Sequence, residues 1–311
     1  MKKYYQVLIS SIITLALVGC GNSNSSASNG NQGDIKASNT ASSEAKETVE
    51  SAETSEKEIK FEEITVVDND ECSIKLTELD PDGTWGYTVK ALLENKSADK
   101  NYMFSVINAS INGVQSDPFF AEQVAPGKKS NASISFMDSS LEQNGITDET
   151  DIKLSFRVYD SDDWTADNVA EETVHVYPYG EENATVYERE SQPSDIVLFD
   201  NEYGSATVIG FDPDSSWGYE AKLFLVNKTD NPMMFSAENV SVNGFMIDPF
   251  FATEVGPQEK AFSSMSWSTS DLEENDIETV ENIEMTMRAY NSSDFTAGDY
   301  FSDTVSITPA E

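Results

Sequence analysis

The chain has 311 residues, with 19 Lys and Arg against 56 Asp and Glu, a formal charge of −37 at neutral pH. Nucleic-acid binding takes a basic stripe and direct attraction to anionic lipid takes basic clusters, so neither is expected here. The acidity then reads as solubility at a crowded surface, or as attraction for cations or basic partners.

The first residues carry Lys2 and Lys3 and no acid, and Val7 to Val18 is a short, mostly apolar run. A bilayer-spanning helix needs ~20 apolar residues, so the run is too short to span. A basic start, a short apolar stretch and small residues at its end describe a secretory leader, residues 1–19. Its end, Leu17-Val18-Gly19-Cys20, resembles the lipobox of bacterial lipoproteins. That resemblance implies cleavage before Cys20, lipid attachment to its thiol, and a place on the extracellular face of a bacterial, Gram-positive membrane. Buried acyl chains contribute ~0.8 kcal/mol per CH₂, and two or three chains hold firmly. Cleavage takes Lys2 and Lys3 and no acid, making the charge two units more negative, −39.

Residues 20–60 follow the leader and are rich in Ser, Asn, Ala, Gly, Glu and Thr. Such composition buries too little apolar surface to offset chain entropy, which predicts a disordered tether. A flexible chain of ~40 residues has an r.m.s. reach of roughly 35 Å.

Beyond the tether the chain repeats itself, the feature that most constrains its architecture. Asp80-Pro81-Asp82-Gly83-Thr84-Trp85-Gly86-Tyr87 returns as Asp212-Pro213-Asp214-Ser215-Ser216-Trp217-Gly218-Tyr219. Asn95-Lys96-Ser97 returns as Asn227-Lys228-Thr229, and Ile111-Asn112-Gly113 as Val242-Asn243-Gly244. Asp117-Pro118-Phe119-Phe120-Ala121 returns as Asp248-Pro249-Phe250-Phe251-Ala252, and Arg157 and Tyr159 return as Arg288 and Tyr290. The displacement falls from 132 to 131 positions after Asn95, one residue being lost in the following loop. Two domains are predicted, 61–178 and 195–309, joined by a polar linker over 179–194.

Within the first copy, Ile152, Leu154, Phe156 and Val158 alternate with polar or larger amphipathic residues, the period of a half-buried strand. Strands are expected near 61–67, 72–79, 85–95, 101–110, 117–124, 130–137, 151–159 and 171–178. Asp-Pro-Asp-Gly, Asn-Lys-Ser, Asn-Gly and Pro-Gly turns separate them. Ser139 or Ser140 is expected to cap one helical turn over 141–144. The fold class is all-β: two tandem immunoglobulin-like β-sandwich domains after a disordered N-terminal tether. No Cys…Trp…Cys signature of antibody domains is present. Only Cys72 accompanies Cys20, so with Cys20 lipidated no intrachain disulfide is expected.

These motifs together resemble a domain found on lipoproteins of Firmicutes, similar in layout to bacterial immunoglobulin-like lipoprotein domains of unknown function. The resemblance implies a β-sandwich on a cell-surface protein and no catalytic residue.

The chemistry-bearing residues are few. His175 lies between Val174 and Val176 and is replaced by Ser306 in the second copy; Cys72 aligns with Gly204. Neither has a nearby partner in sequence that proposes catalysis, and phosphate-loop and hydrolase motifs are missing. No enzyme activity and no cofactor is therefore expected. Calcium is the best metal candidate. Asp80 and Asp82 recur as Asp212 and Asp214; Asp160, Asp162 and Asp163 follow a strand, with Asn291 and Asp294 in the second copy. Calcium takes six to eight oxygens, yet Asp, Pro and Gly are also what a turn needs for its own geometry.

Trp85, Tyr87, Phe119 and Phe120, with Trp217, Tyr219, Phe250 and Phe251, read as core aromatics. The alternative is an exposed platform for a glycan. Arg157 and Arg288 are expected to pair with acids on the outer face. The functional expectation is a lipid-anchored, non-enzymatic binding or structural module for a surface protein, peptide or glycan. The alternative is a solute- or calcium-binding lipoprotein that serves a transporter or sensor.

Overall fold

The computed structural model describes residues 58–163 and 165–309. The leader, Cys20 and the sequence up to 57 lie outside them. The first copy contains β1 (Ile64–Asp68), β2 (Cys72–Asp80), β3 (Thr88–Asn95), β4 (Tyr102–Ile111), β5 (Val114–Gln115), β6 (Ala121–Val124) and β7 (Lys129–Ser135). It continues with a short helix α1 (Asp138–Gln143), β8 (Ile152–Asp160) and β9 (Ala170–Val176). The second contains β10 (Ile196–Asp200), β11 (Gly204–Ser215), β12 (Gly218–Asn227), β13 (Met233–Val242), β14 (Phe245–Met246), β15 (Ala252–Val255) and β16 (Lys260–Trp267). It ends with α2 (Thr269–Glu274), β17 (Ile283–Asn291) and β18 (Asp299–Ile307).

Each copy is a two-sheet sandwich. In the first, β1-β2-β3-β7 form one sheet; β5-β4-β8-β9, with β6 added on β4, form the other. The second repeats this as β10-β11-β12-β16 and β14-β13-β17-β18, with β15 on β13. The strict alternation expected around residue 152 is realised: every second residue of β8, from Ile152 to Asp160, is buried. One core gathers Ile74, Leu76, Leu93, Phe104, Ile134, Leu154 and Phe156; the other gathers Leu223, Leu225, Phe235, Met265, Trp267 and Met287.

Recurrent polar motifs fasten the loops. The buried Asn95 donates from Nδ2 to the carbonyls of Lys100 and Val124 (2.8 and 2.7 Å) and accepts from the Ser97 amide. Asn227 does the same toward Asn231 and Val255 and accepts from Thr229. A buried amide leaves no dipole unmatched only if it finds such partners, so Asn at this position in both copies is structural. Asn112-Gly113 and Asn243-Gly244 turn the β4–β5 and β13–β14 hairpins with positive φ at both residues, the geometry of a type I′ turn.

Three local expectations are corrected. Neither Ser139 nor Ser140 caps α1: both lie inside it, the N-cap is Met137, and no side chain caps it. In the second copy the aligned N-cap is Ser268, whose hydroxyl accepts from the Asp271 amide. No strand covers residues 85–87 or 117–120, and the reason is the backbone of the aromatic motifs described below.

The two sandwiches are joined edge to edge. β5 pairs in parallel with β16 at Val114 and Lys260, so one sheet of each copy merges into a single nine-stranded sheet. The Lys260 amide donates to the Gly113 carbonyl (2.9 Å). Around this bond, Lys153 Nζ lies 2.9 Å from Glu259 Oε1, and Asn108 Nδ2 donates to Glu259 Oε2 at 3.2 Å. Gln115 donates to the Glu254 carbonyl and accepts from the Gly256 amide. The stretch 179–194 takes part as well. Tyr187 donates its amide to the Asn112 carbonyl and stacks edge-on against Phe224 and Phe262. Arg189 grips Asp195 with two hydrogen bonds of 2.7 and 2.8 Å.

Candidate functional site

The Trp-Gly-Tyr motif does not simply open a core strand. In a regular strand, residues two apart face the same side, so Trp85 and Tyr87 would both be buried. Gly86 breaks that rule with φ +113, and a Cβ there would lie 2.1 Å from the Phe136 carbonyl oxygen. Gly218 repeats it, with φ +118 and 2.2 Å to the Trp267 carbonyl oxygen. Only glycine tolerates both the conformation and the approach. Tyr87 and Tyr219 consequently enter the core, while Trp85 and Trp217 stand 74% and 77% exposed.

Asp-Pro-Phe-Phe behaves similarly. Phe120 and Phe251 pack against the two cores, but Phe119 and Phe250 are 81% and 77% exposed. The expectation that all eight aromatics are core is therefore corrected for four of them. Phe119 carries φ +49, a conformation that costs a bulky L-residue on the order of 1–3 kcal/mol. The Asp117 carboxylate holds the turn by accepting from the Phe119 amide at 2.7 Å. In the second copy Phe250 is fixed differently, by a bridge to Ser266 of β16.

Each of these exposed Trp–Phe pairs lines an open groove. The first, of about 400 Å³, is bounded by Trp85, Phe119, Glu122, Ser133, Ser135 and Met137. The second, of about 420 Å³, is bounded by Trp217, Phe250, Glu220, Ser264, Ser266 and Ser268. Both combine flat apolar faces with a carboxylate and a row of hydroxyls. Isolated exposed apolar residues are ordinary on protein surfaces; the same pair of large aromatics exposed at the same place in both copies is not.

Most of the acidic candidates make other contacts. Asp80 and Asp212 pair with Lys90 and Lys222 at 3.4 and 3.5 Å. Asp82 and Asp214 are exposed, and the Asp214 amide donates to Asp212 Oδ1. Asp160 accepts from the Asp162 amide, with Lys100 at 3.8 Å; Asp162 accepts from Asn101. Asp163 and Asp294 cap their turns by accepting from Thr165 and Thr296, and those hydrogen bonds hold both carboxyls below their ordinary range. The Asn291 side chain accepts from Ser293. Among the described residues, no group of three or more His, Cys, Asp or Glu is placed to hold a metal ion.

His175 lies on the outer face, with Nδ1 2.8 Å from an Asp151 carboxylate oxygen, and stacks on Tyr177. Cys72 is fully buried, and loss of solvent pushes its thiol up to about 11. Arg288 pairs with Asp299 and Glu238, as expected for the outer face, and lies over the Tyr290 ring. The Arg157 guanidinium lies over the Tyr159 ring. Cys20 lies outside the described residues, among which no helix is long and apolar enough to cross a membrane.

No protein-family model and no curated protein matches the sequence. Among solved structures, the chain is similar at 10% identity and a TM-score of 0.22 to the exo-chitosanase CsxA of Amycolatopsis orientalis, over 75% of this chain and 26% of that one. It is similar at 9% and 0.21 to red sea bream transglutaminase, over 79% and 32%. It is similar at 12% and 0.19 to the human OSCAR ligand-binding domain, over 76% and 97%. The chain thus spans about a quarter and about a third of the first two, and likenesses at this level bear on neither activity nor partner.

Proposed function

We propose that the chain is a lipid-anchored, non-enzymatic binding module on the outer bacterial surface, with its two aromatic grooves as twin sites for a repeating glycan. The recurrence of an exposed Trp and Phe beside a carboxylate and serine hydroxyls supports this reading. Aromatic faces cover the apolar side of a ligand, and a few polar groups fix its orientation. A sugar ring offers both an apolar face and hydroxyls, and the acidic surface favours a neutral or amino-bearing polymer over an anionic one. Two sites on one chain raise the effective concentration of the second contact once the first is made. The leader and Cys20 support the anchored location.

The test is binding of the full chain to neutral, amino-bearing and acidic polysaccharides, compared with Trp85→Ala/Trp217→Ala. Binding to a neutral or amino-bearing glycan that the double variant loses is the expected result. Binding to peptides instead, or glycan binding unchanged in the variant, overturns the ligand class or the site respectively. Incorporation of a labelled fatty acid, abolished by Cys20→Ser, tests the anchor.

A further inference from the structure

The junction between the two copies uses the β4–β5 hairpin of the first and the start of β16 in the second. Both halves of that junction recur elsewhere in the chain, each with one edge unpaired by any strand among the described residues. The counterpart of β5 is β14, an edge strand that pairs only with β13 among the described residues. The counterpart of β16 is β7, the edge of its own sheet, which among the described residues pairs only with β3. We propose that β14 of one copy pairs with β7 of a second copy, repeating between molecules the junction that joins the repeats within one.

Four observations carry this. First, the hairpins match: Asn112 and Asn243 both have φ +52, followed by Gly113 at +79 and Gly244 at +86. The Gly244 carbonyl is thus presented as the Gly113 carbonyl is, and the aligned acceptor strand offers the Lys129 amide where Lys260 stands. Second, burial differs as a docked and an undocked edge should. Val114 is 0% exposed, whereas its counterpart Phe245 is 48% exposed and the adjacent Met246 69%. An exposed apolar edge strand is a ready template for further pairing.

Third, the charges at the contact are exchanged as a pair. Within the chain, Lys153 on the hairpin side meets Glu259 on the strand side. Their counterparts are Glu284 and Lys128, both exposed. A β14–β7 contact therefore sets Glu284 against Lys128, opposite in sense to the internal pair. Fourth, the internal junction leaves the Trp217–Phe250 groove open, so the same contact on β7 is compatible with an open Trp85–Phe119 groove.

The external junction lacks the Tyr187 packing that seals the internal one. Association is therefore weaker than the internal contact and depends on concentration. Because the two surfaces differ, the contact is head-to-tail, the kind that builds rings or open filaments rather than an isologous dimer.

Sedimentation of the full chain at physiological ionic strength and rising concentration tests this. Species growing past a dimer are expected. Glu284→Lys and Lys128→Glu should each weaken association at least tenfold, and mixing the two variants should restore it, since every junction in the mixture can then pair opposite charges. A monomer at all concentrations, growth that stops at a dimer, association indifferent to the single changes, or no recovery on mixing overturns the proposal.

Discussion

Lys153 of the first sandwich and Glu259 of the second meet at 2.9 Å across the seam, the acid almost fully buried and the lysine mostly so. Removing one partner of a buried pair leaves an uncompensated charge, whereas replacing both with apolar groups of similar size is often neutral. Glu259→Ala is expected to cost about 1–3 kcal/mol, reduced from the fully buried case because Lys153 can reach water. Lys153→Met/Glu259→Leu should cost less than either single change. Denaturant unfolding of the native chain, Lys153→Met, Glu259→Leu and the double variant checks this through the coupling energy.

Gly86 and Gly218 aim the two exposed tryptophans. Gly86→Ala and Gly218→Ala bring a methyl group to 2.1 and 2.2 Å from a backbone carbonyl at strongly positive φ. Each is expected to destabilise its sandwich by about 2 kcal/mol or more and to weaken ligand binding at the same groove. Trp85→Ala and Trp217→Ala, by contrast, should stay within about 0.5 kcal/mol of the native stability, because both side chains are exposed. Thermal unfolding separates the two kinds of variant.

Asp195 gives the linker a pH dependence. The hydrogen bonds from Arg189 hold its carboxyl below the ordinary carboxylate range. A carboxylate depressed in the folded state stabilises it fully above its unfolded value, near 3.9, and this contribution is lost as pH falls through the lower folded value. Acid should therefore loosen the linker, and Asp195→Asn should remove that part of the dependence. Chemical shifts of the Arg189 guanidinium, followed down to pH 2, provide the measurement.

Cys72 is shielded by the first core, with its thiol raised to about 11. Since the thiolate is the reactive form, Cys72 should resist alkylation at pH 7.5 in the folded chain and react once denaturant is added. Peptide mapping after alkylation distinguishes Cys72 from Cys20.

Arg288 is held by two acids on the outer face, Asp299 and Glu238. The site is open to water, so Arg288→Ala should cost no more than about 1 kcal/mol. A larger loss in thermal unfolding would assign the residue a packing role through its contact with Tyr290.

The period-two pattern and the self-similarity of the chain determined the all-β sandwich and its duplication, because strand burial imprints itself directly on sequence spacing. The exchange of charge between the copies, Lys153 for Glu284 and Glu259 for Lys128, takes its meaning only from the seam. Sequence spacing could not tell which of these residues meet, since side chains 106 positions apart become neighbours only when two sheets share an edge. Nor did hydrophobicity assign Trp85 and Phe119 to solvent: large aromatics are usually core, and the deciding factor was backbone conformation at Gly86 and at Phe119 itself. The tertiary structure alone turned the shared aromatic motif into two open grooves, because only close approach of the Phe136 and Trp267 carbonyls excludes a side chain at Gly86 and Gly218 and turns the tryptophans outward.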